Sequence, residues 1–583
     1  MHRTRVDDRY EDSHALLNPN EFEDAYDESS MQSSFQEGKP SDDTERSPMH
    51  AFDTEDYVPK YVAARKGYLE RLLQALNLRR DRTVNASTST PAQSSKLSTT
   101  VRTIFNYPEP GLKLRSTAWL DGLRGLAAFE VFIYHYAREW VNRDPAWGPT
   151  KTDGLDPAWY RFPFIRTFYN AGHASVAVFF AISGYVLSHR VLTLCAQQRH
   201  EEAYASLSSA IFRRALRLFT PAAIWTFIVM FICWLCDPWL PKPDPYVIEP
   251  TLWREIGVWA GKVLDMLLPV NYPDRWTAIM NRYSGNVTWT ISLEYYGSLV
   301  VYGALLFISR TRSFVVRQSL VYFMVALSFL KDDWIAGQFL LGLAFADRQI
   351  HNERIQLSDA APYAKSSRKF ARKAFYYGVF IFGWFLAGLP MVRPKAGKDE
   401  NDFPVESRPF FDIVGQPLAW IGGYHNRQGD QYLYALAGIC LLVGIGETNI
   451  KNFMEIRFVQ YLGKISFGFY LVHVPIRAWL GALDPIYFGV MGLPFIPWDK
   501  REENFTLFCV WMLRMGPAIL INLIVGGLFE RFVDRPLIHF SRRFEQWCLS
   551  FGQKPEVLSL PHHQQNEPAE QSPAPILVSG SQI

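Results

Sequence analysis

Leu120-Asp-Gly-Leu-Arg-Gly-Leu-Ala-Ala-Phe-Glu-Val-Phe-Ile-Tyr-His-Tyr-Ala137 is the stretch on which the fold turns. It has the length and apolar content of a membrane-crossing helix, yet it carries Arg124 and His135. Eleven residues at about 100° each make three turns plus ~20°, so the two side chains share a face, ~16 Å apart along the axis. Asp121 lies on the same stripe, whereas Glu130 points ~140° away from His135. An ionisable group at the centre of a spanning helix costs at least ~2.5 kcal/mol, and by default it marks a functional site. The stripe therefore suggests an anion held by Arg124 near the cytosolic end and a proton taken by His135 nearer the other. The plainer alternative is a histidine hydrogen-bonded inside a helix bundle.

Working outward, the composition supports a membrane bundle. The mean hydropathy of -0.06 averages two populations. Polar stretches fill the first hundred residues and the last thirty or so, and repeated apolar runs lie between them. Aromatic residues make up 15% of the 583 residues, with 18 Trp, a content suited to interfacial belts. A formal charge of +3 without a compact basic patch argues against a nucleic-acid partner. The six cysteines are scattered, and Cys233-Trp-Leu-Cys236 sits in an apolar run without a second pair, so neither a disulfide framework nor a zinc site is expected. HExxH, Walker A and GxSxG patterns are missing, and no metal is expected.

Residues 1–60, with 16 Asp/Glu against 6 Lys/Arg, read as a disordered acidic tail. Over 61–84, Tyr61, Ala64, Tyr68, Leu69, Leu72, Leu73 and Leu76 fall on one face of a basic amphipathic helix suited to an anionic leaflet. Residues 85–114 read as a Ser/Thr-rich linker, 115–545 as the transmembrane domain and 546–583 as a second disordered tail. The expected fold is all-α, a polytopic bundle of about ten spans. They lie near 119–137, 172–194, 218–236, 288–309, 314–330, 334–347, 374–391, 431–446, 461–480 and 509–530. The sixth is short enough to be re-entrant. Basic residues cluster in alternate loops, including Arg213, Arg214 and Arg217 at the cytosolic mouth of the third span, which puts both termini in the cytosol.

Further motifs fall in these spans. Arg214 and Arg217 are one helical turn apart, and guanidinium forks bind phosphates bidentately, as a docked nucleotide would require. Positive-inside anchoring explains them equally well on charge alone. Trp289-Thr-Ile-Ser-Leu-Glu294 places a carboxylate in a span, where it must be paired or protonated. It could orient His135, bind substrate or form an interhelical ion pair with Arg124. In Leu462-Gly-Lys-Ile-Ser-Phe-Gly-Phe-Tyr-Leu-Val-His473, Ser466, Tyr470 and His473 make one polar stripe that serves packing or catalysis. Phe179-Phe-Ala-Ile-Ser-Gly-Tyr185 adds Ser183 and a glycine that permits close helix approach.

Taken in order, these motifs resemble the acyltransferase 3 family of integral-membrane O-acyltransferases. The matching residues are Leu120-Asp-Gly-Leu-Arg-Gly with His135, Val178-Phe-Phe-Ala-Ile-Ser-Gly-Tyr185, Arg214-x-x-Arg217, Trp289-Thr-x-Ser-x-Glu294, Leu462 to His473, and Glu530-Arg-Phe-Val-Asp-Arg-Pro536. The resemblance implies about ten helices, acyl-CoA as co-substrate from the cytosol and a hydroxyl-bearing acceptor. It also implies His135 as the residue essential for transfer, paired with Arg124, and Arg214 and Arg217 as the donor-handling motif. Asp121, Trp289, Ser183, Ser466, Tyr470 and His473 would support substrate or structure. Glu130 departs from the pattern, standing where an apolar residue is usual. Two rival readings remain at this stage: a transporter with an intramembrane Arg/Glu/His relay, and a membrane scaffold that recruits partners through its acidic tail.

Overall fold

The computed structural model describes residues 102–107, 114–138, 140–141, 148–150, 154–156, 158–237, 239–243, 247–267, 282–285, 287–331, 333–357, 366–389, 429–495 and 505–551. The expected acidic tail, the basic helix and the final tail beyond residue 551 lie outside the described residues. The long helices are α1 (Ala118–Ala137), α2 (Gly172–Ala196), α3 (His200–Leu235), α4 (Leu252–Leu267), α5 (Trp289–Ile308) and α6 (Phe314–Leu330). They continue with α7 (Trp334–Leu357), α8 (Ser366–Ala387), α9 (Gly429–Gly446), α10 (Arg457–Gly481), α11 (Phe505–Phe529) and α12 (Arg535–Ser550). Among the described residues, the one exception to helical structure is a two-stranded antiparallel ribbon pairing Gly148–Thr150 with Gly154–Asp156.

Each expected span falls on a helix. Four helical stretches are long and apolar enough to cross a membrane by themselves: Gly172–Ala196, His200–Leu235, Trp289–Ile308 and the continuous Phe505–Ser550. The other long helices carry more polar residues or shorter apolar runs. In α1 the buried Arg124 lowers the apolar content and is satisfied inside the bundle.

Two boundaries differ most from expectation. α3 begins at His200, so Arg213, Arg214 and Arg217 belong to one unbroken helix of 36 residues and not to a loop. Hydropathy truncates the element at the arginines, but no helix breaker separates His200 from Thr220. Pro221 is accommodated inside the helix. The first turns of α3 rest on α12, with Arg213 Nε 3.1 Å from Glu545 Oε2 and the Phe212 and Phe544 rings stacked 5.9 Å apart. The sixth span is also longer than expected. α7 runs for 24 residues because its buried charge, Asp347, is neutralised by Arg317 of α6 at 2.8 Å.

Glycines set two close helix crossings. A Cβ on Gly125 of α1 would lie 2.3 Å from the Gly463 nitrogen of α10, and one on Gly463 would lie 2.4 Å from the Asp121 carbonyl oxygen. At the α2–α7 crossing, a Cβ on Gly184 would meet the Phe339 carbonyl oxygen at 1.9 Å, and one on Gly342 the Ala181 oxygen at 2.0 Å. Small residues let backbones approach where lipid offers no hydrophobic drive to associate. The glycine after Ser183 therefore does what its motif suggested. The core wraps α1, α2 and α10, with Leu120, Phe132, Phe179, Ile465 and Tyr470 all essentially solvent-free.

Part of the expected linker is docked. Asn106 donates to the Gly527 carbonyl at 3.2 Å and contacts the Glu530 carboxylate. Lys464 Nζ donates to the Asn106 carbonyl at 2.8 Å, and the Tyr107 and Tyr461 rings pack 4.9 Å apart. Glu530, the first residue of the closing motif, also accepts from Arg535 at 2.8 Å. That motif thus pins the chain entering α1 to the end of α11.

Candidate active site

α1 and α10 run parallel in a register held at both ends. Arg124 Nε donates to Ser466 Oγ at 3.1 Å, and Arg477 Nη1 donates to the His135 carbonyl at 2.7 Å. Each contact joins residues 342 apart in sequence. Two stripes that sequence spacing presents separately therefore face each other, residue for residue, along about 16 Å of helix.

The Arg124 end is a closed polar knot. The guanidinium, 2% exposed, gives Nη2 to Asp121 Oδ1 at 2.9 Å and to the Gly463 carbonyl at 3.2 Å, besides its bond to Ser466. Ser466 Oγ itself donates to that same carbonyl at 2.9 Å. This is the fully paired arrangement that a cation buried in a bundle needs.

The His135 end is built differently. Two carbonyls of the last turn of α1 are capped by side chains of other helices, His135 by Arg477 and Tyr136 by the Trp511 indole N–H at 3.0 Å. These are among the orphan acceptors of a helix C-terminus, so the caps fix where the His135 side chain starts. Arg514 supports the cap: it bonds the Arg477 carbonyl at 3.2 Å, pairs with Asp484 at 3.2 Å and lies over the Tyr136 ring. The His135 ring, on a residue 4% exposed, rests with its centroid 5.0 Å from that of His473.

His473 is completely buried, and its Nδ1 lies 2.5 Å from the Tyr470 carbonyl. Pro475, two residues on, has no N–H for the Leu471 carbonyl and disturbs the preceding turn. That disturbance helps a side chain compete for the backbone acceptor. The carbonyl can only accept, so Nδ1 carries the proton and Nε2 keeps a lone pair. Nε2 meets no hydrogen-bond partner among the described residues.

Arg214 and Glu294 form a separate centre between α3 and α5, each 1% exposed and in direct ionic contact. Arg214 Nε also donates to Ser298 Oγ at 2.8 Å. Glu294 is thus paired with Arg214, while the Arg124 fork holds Asp121, Ser466 and Gly463. Arg217, 3% exposed, follows one turn later on α3. Trp289 and Thr290 are buried at the start of α5. Tyr470 links the two centres: its hydroxyl donates to the Val287 carbonyl, just ahead of α5, at 2.9 Å. Ser183 is buried beside Gly184 at the α2–α7 crossing, a packing position.

Arg477 and Trp511 escape a reading of the sequence. Arg477 continues the Ser466–Tyr470–His473 stripe by one turn, and following that stripe past Pro475 would have found it. Next to His135, whose ring it meets edge-on at 5.5 Å, Tyr134 bonds His173 Nε2 at 2.8 Å, and His173 stacks on Tyr434 at 5.1 Å. Glu130 faces the backbone N–H of Ala171, at the N-terminus of α2. Outside the spans, Glu255 is solvent-free on α4, held by Arg282 at 2.9 Å and by the Tyr283 hydroxyl at 2.5 Å. Burial, and secondarily the hydrogen bond to Glu255, pushes the Tyr283 phenol well above its ordinary range.

Residues 117–524 match the acyltransferase domain of the acyltransferase 3 family. The chain is 29% identical to the O-acetyltransferase PaAT-1 of Phomopsis amygdali over 467 residues, 76% of this chain and 87% of that protein. It is 25% identical to acyltransferase R4 of a Phoma species over 466 residues, and 24% identical to acyltransferase clz18 of Cochliobolus lunatus over 479. Each of those two alignments covers 72% of this chain and 94% of the relative. No solved structure matches the chain.

Proposed function

The chain belongs to the acyltransferase 3 family and is a membrane acyltransferase; from that premise we propose that it moves an acyl group, acetyl by default, from acyl-CoA to a hydroxyl. His135 is the general base. The acceptor hydroxyl attacks the thioester carbonyl while its proton passes to the His135 imidazole. The carbon–sulfur bond then breaks, and the departing CoA thiolate recovers that proton. Such a base contributes about 10²–10⁴-fold, and holding two reactants in line contributes further.

The observation that carries this reading is the end of α1, where a buried imidazole stands on a backbone capped from two other helices. Arg217, with Arg214 held in orientation by Glu294, supports a role for this turn in steering the donor's phosphates. Arg124 acts through the α1–α10 register and not at the reacting atoms. The basic clusters described above suit an orientation with both termini in the cytosol, where acyl-CoA is made.

Metabolites and glycans from cells lacking the gene, compared by mass spectrometry with those from complemented cells, test the proposal. The wild-type chain should restore an acylated product, and His135→Ala, present at equal level in the membrane, should not. Full product from His135→Ala would refute the catalytic assignment.

A further inference from the structure

His473 presents a buried lone pair that the reaction above leaves unused. Its Nδ1–H is committed to the Tyr470 carbonyl, which settles its tautomer. A second proton, on Nε2, would create a cation in a solvent-free position, one turn from Arg477, with no acceptor for the new N–H among the described residues. The ring is therefore neutral, and Nε2 can only accept.

The nearest titratable ring is that of His135, centroid to centroid 5.0 Å away and inclined by 52°. The terminal torsion of a histidine is broad. Two imidazoles at this centroid separation are within reach of one N–H···N bond. The backbone of His135 is meanwhile clamped by Arg477, which extends from the same turn of α10.

We infer that His473 is a positioning residue for His135: its neutral Nε2 accepts the ring N–H of His135 and leaves the other His135 nitrogen with its lone pair toward the acceptor hydroxyl. The chain of bonds runs from the Tyr470 carbonyl through His473 to His135. It does for this imidazole what a buried carboxylate does in a hydrolase triad, without a second charge in the membrane. When His135 takes the hydroxyl proton, the same bond to His473 steadies the imidazolium. The proton stays on His135, because Arg477 disfavours its transfer to His473, and it leaves with the CoA thiol. This inference rests on His135 being the base.

Full-length protein labelled with ¹⁵N-histidine in lipid nanodiscs tests it without knowledge of the acceptor. The wild-type spectrum should contain one imidazole protonated at Nδ1 that couples through a hydrogen bond to a second imidazole. Both signals should change in His473→Phe, which keeps an aromatic ring and removes the lone pair. In the complementation assay His473→Phe should lower product formation about 10–100-fold at equal protein level. His473→Gln, whose amide oxygen can accept near the Nε2 position, should restore most of it. A merely structural role would not distinguish Gln from Phe in this way. Wild-type product from His473→Phe while His135→Ala is inactive would overturn this inference and leave the base assignment standing; product from His135→Ala would overturn both. Were the Phe variant not to fold, an Nε2-protonated His473 in the wild-type spectrum would by itself overturn the inference.

Discussion

The two ends of α1 lie against the same helix, at the same offset, and are built in opposite ways. At Arg124 the side chain is the bonded party: its fork reaches an aspartate, a serine and a backbone carbonyl. At His135 the backbone is bonded, by Arg477, and the side chain rests against a second imidazole with a lone pair to spare. A buried polar group whose partners are all supplied by the protein stabilises a helix pair. One that carries an imidazole on a backbone clamped in place can also exchange a proton with a substrate. The Arg214–Glu294 pair belongs with the first kind in geometry and next to the second in position, joined to it through Tyr470 and Val287.

The contrast can be broken at its root by separating the helices. Gly125→Leu pushes side-chain atoms into the α10 backbone at a point where a Cβ alone would be 2.3 Å from a nitrogen. Size-exclusion chromatography in detergent should find almost no monodisperse protein. At the His135 end the expected effect is kinetic. His135→Ala should lose about 10²–10⁴-fold in product formation while its thermal unfolding midpoint stays near wild type.

The intermediate centre should respond in stability first. Glu294→Leu leaves Arg214 buried without its carboxylate and should cost about 3–5 kcal/mol, read from thermal or denaturant unfolding in detergent. Replacing both partners, as Arg214→Met with Glu294→Leu, should recover much of that loss. The smallest change sharpens the comparison most. Ser466→Ala removes one partner from Arg124 and should cost about 1–2 kcal/mol of stability, with little change in the rate of turnover. A large rate effect from Ser466→Ala with unchanged stability would mean that the Arg124 end is not a structural knot.

Much of this was legible in the chain before any fold was known. The 3.6-residue period aligned Arg124 with His135 and grouped Ser466, Tyr470 and His473, and helical geometry alone decides such groupings. What periodicity cannot give is rotation between helices. Glu294 had several cationic partners available, and only the packing of α3 against α5 put Arg214 in contact with it. The start of α3 was misplaced for a related reason: hydropathy counts Arg214 as a water-seeking charge, whereas the fold hides it in an ion pair. Asp347 concealed the length of α7 in the same way.

By itself the sequence determined that helices form here, where most of them lie and which polar residues share a face, since these depend on neighbours along the chain. Only the tertiary structure decided that the faces of α1 and α10 meet in parallel register and that Arg477 caps the carbonyl of His135. It alone brings the His473 ring to 5.0 Å from that of His135. Those facts depend on where glycines let two backbones touch, a distance set by packing between segments more than three hundred residues apart.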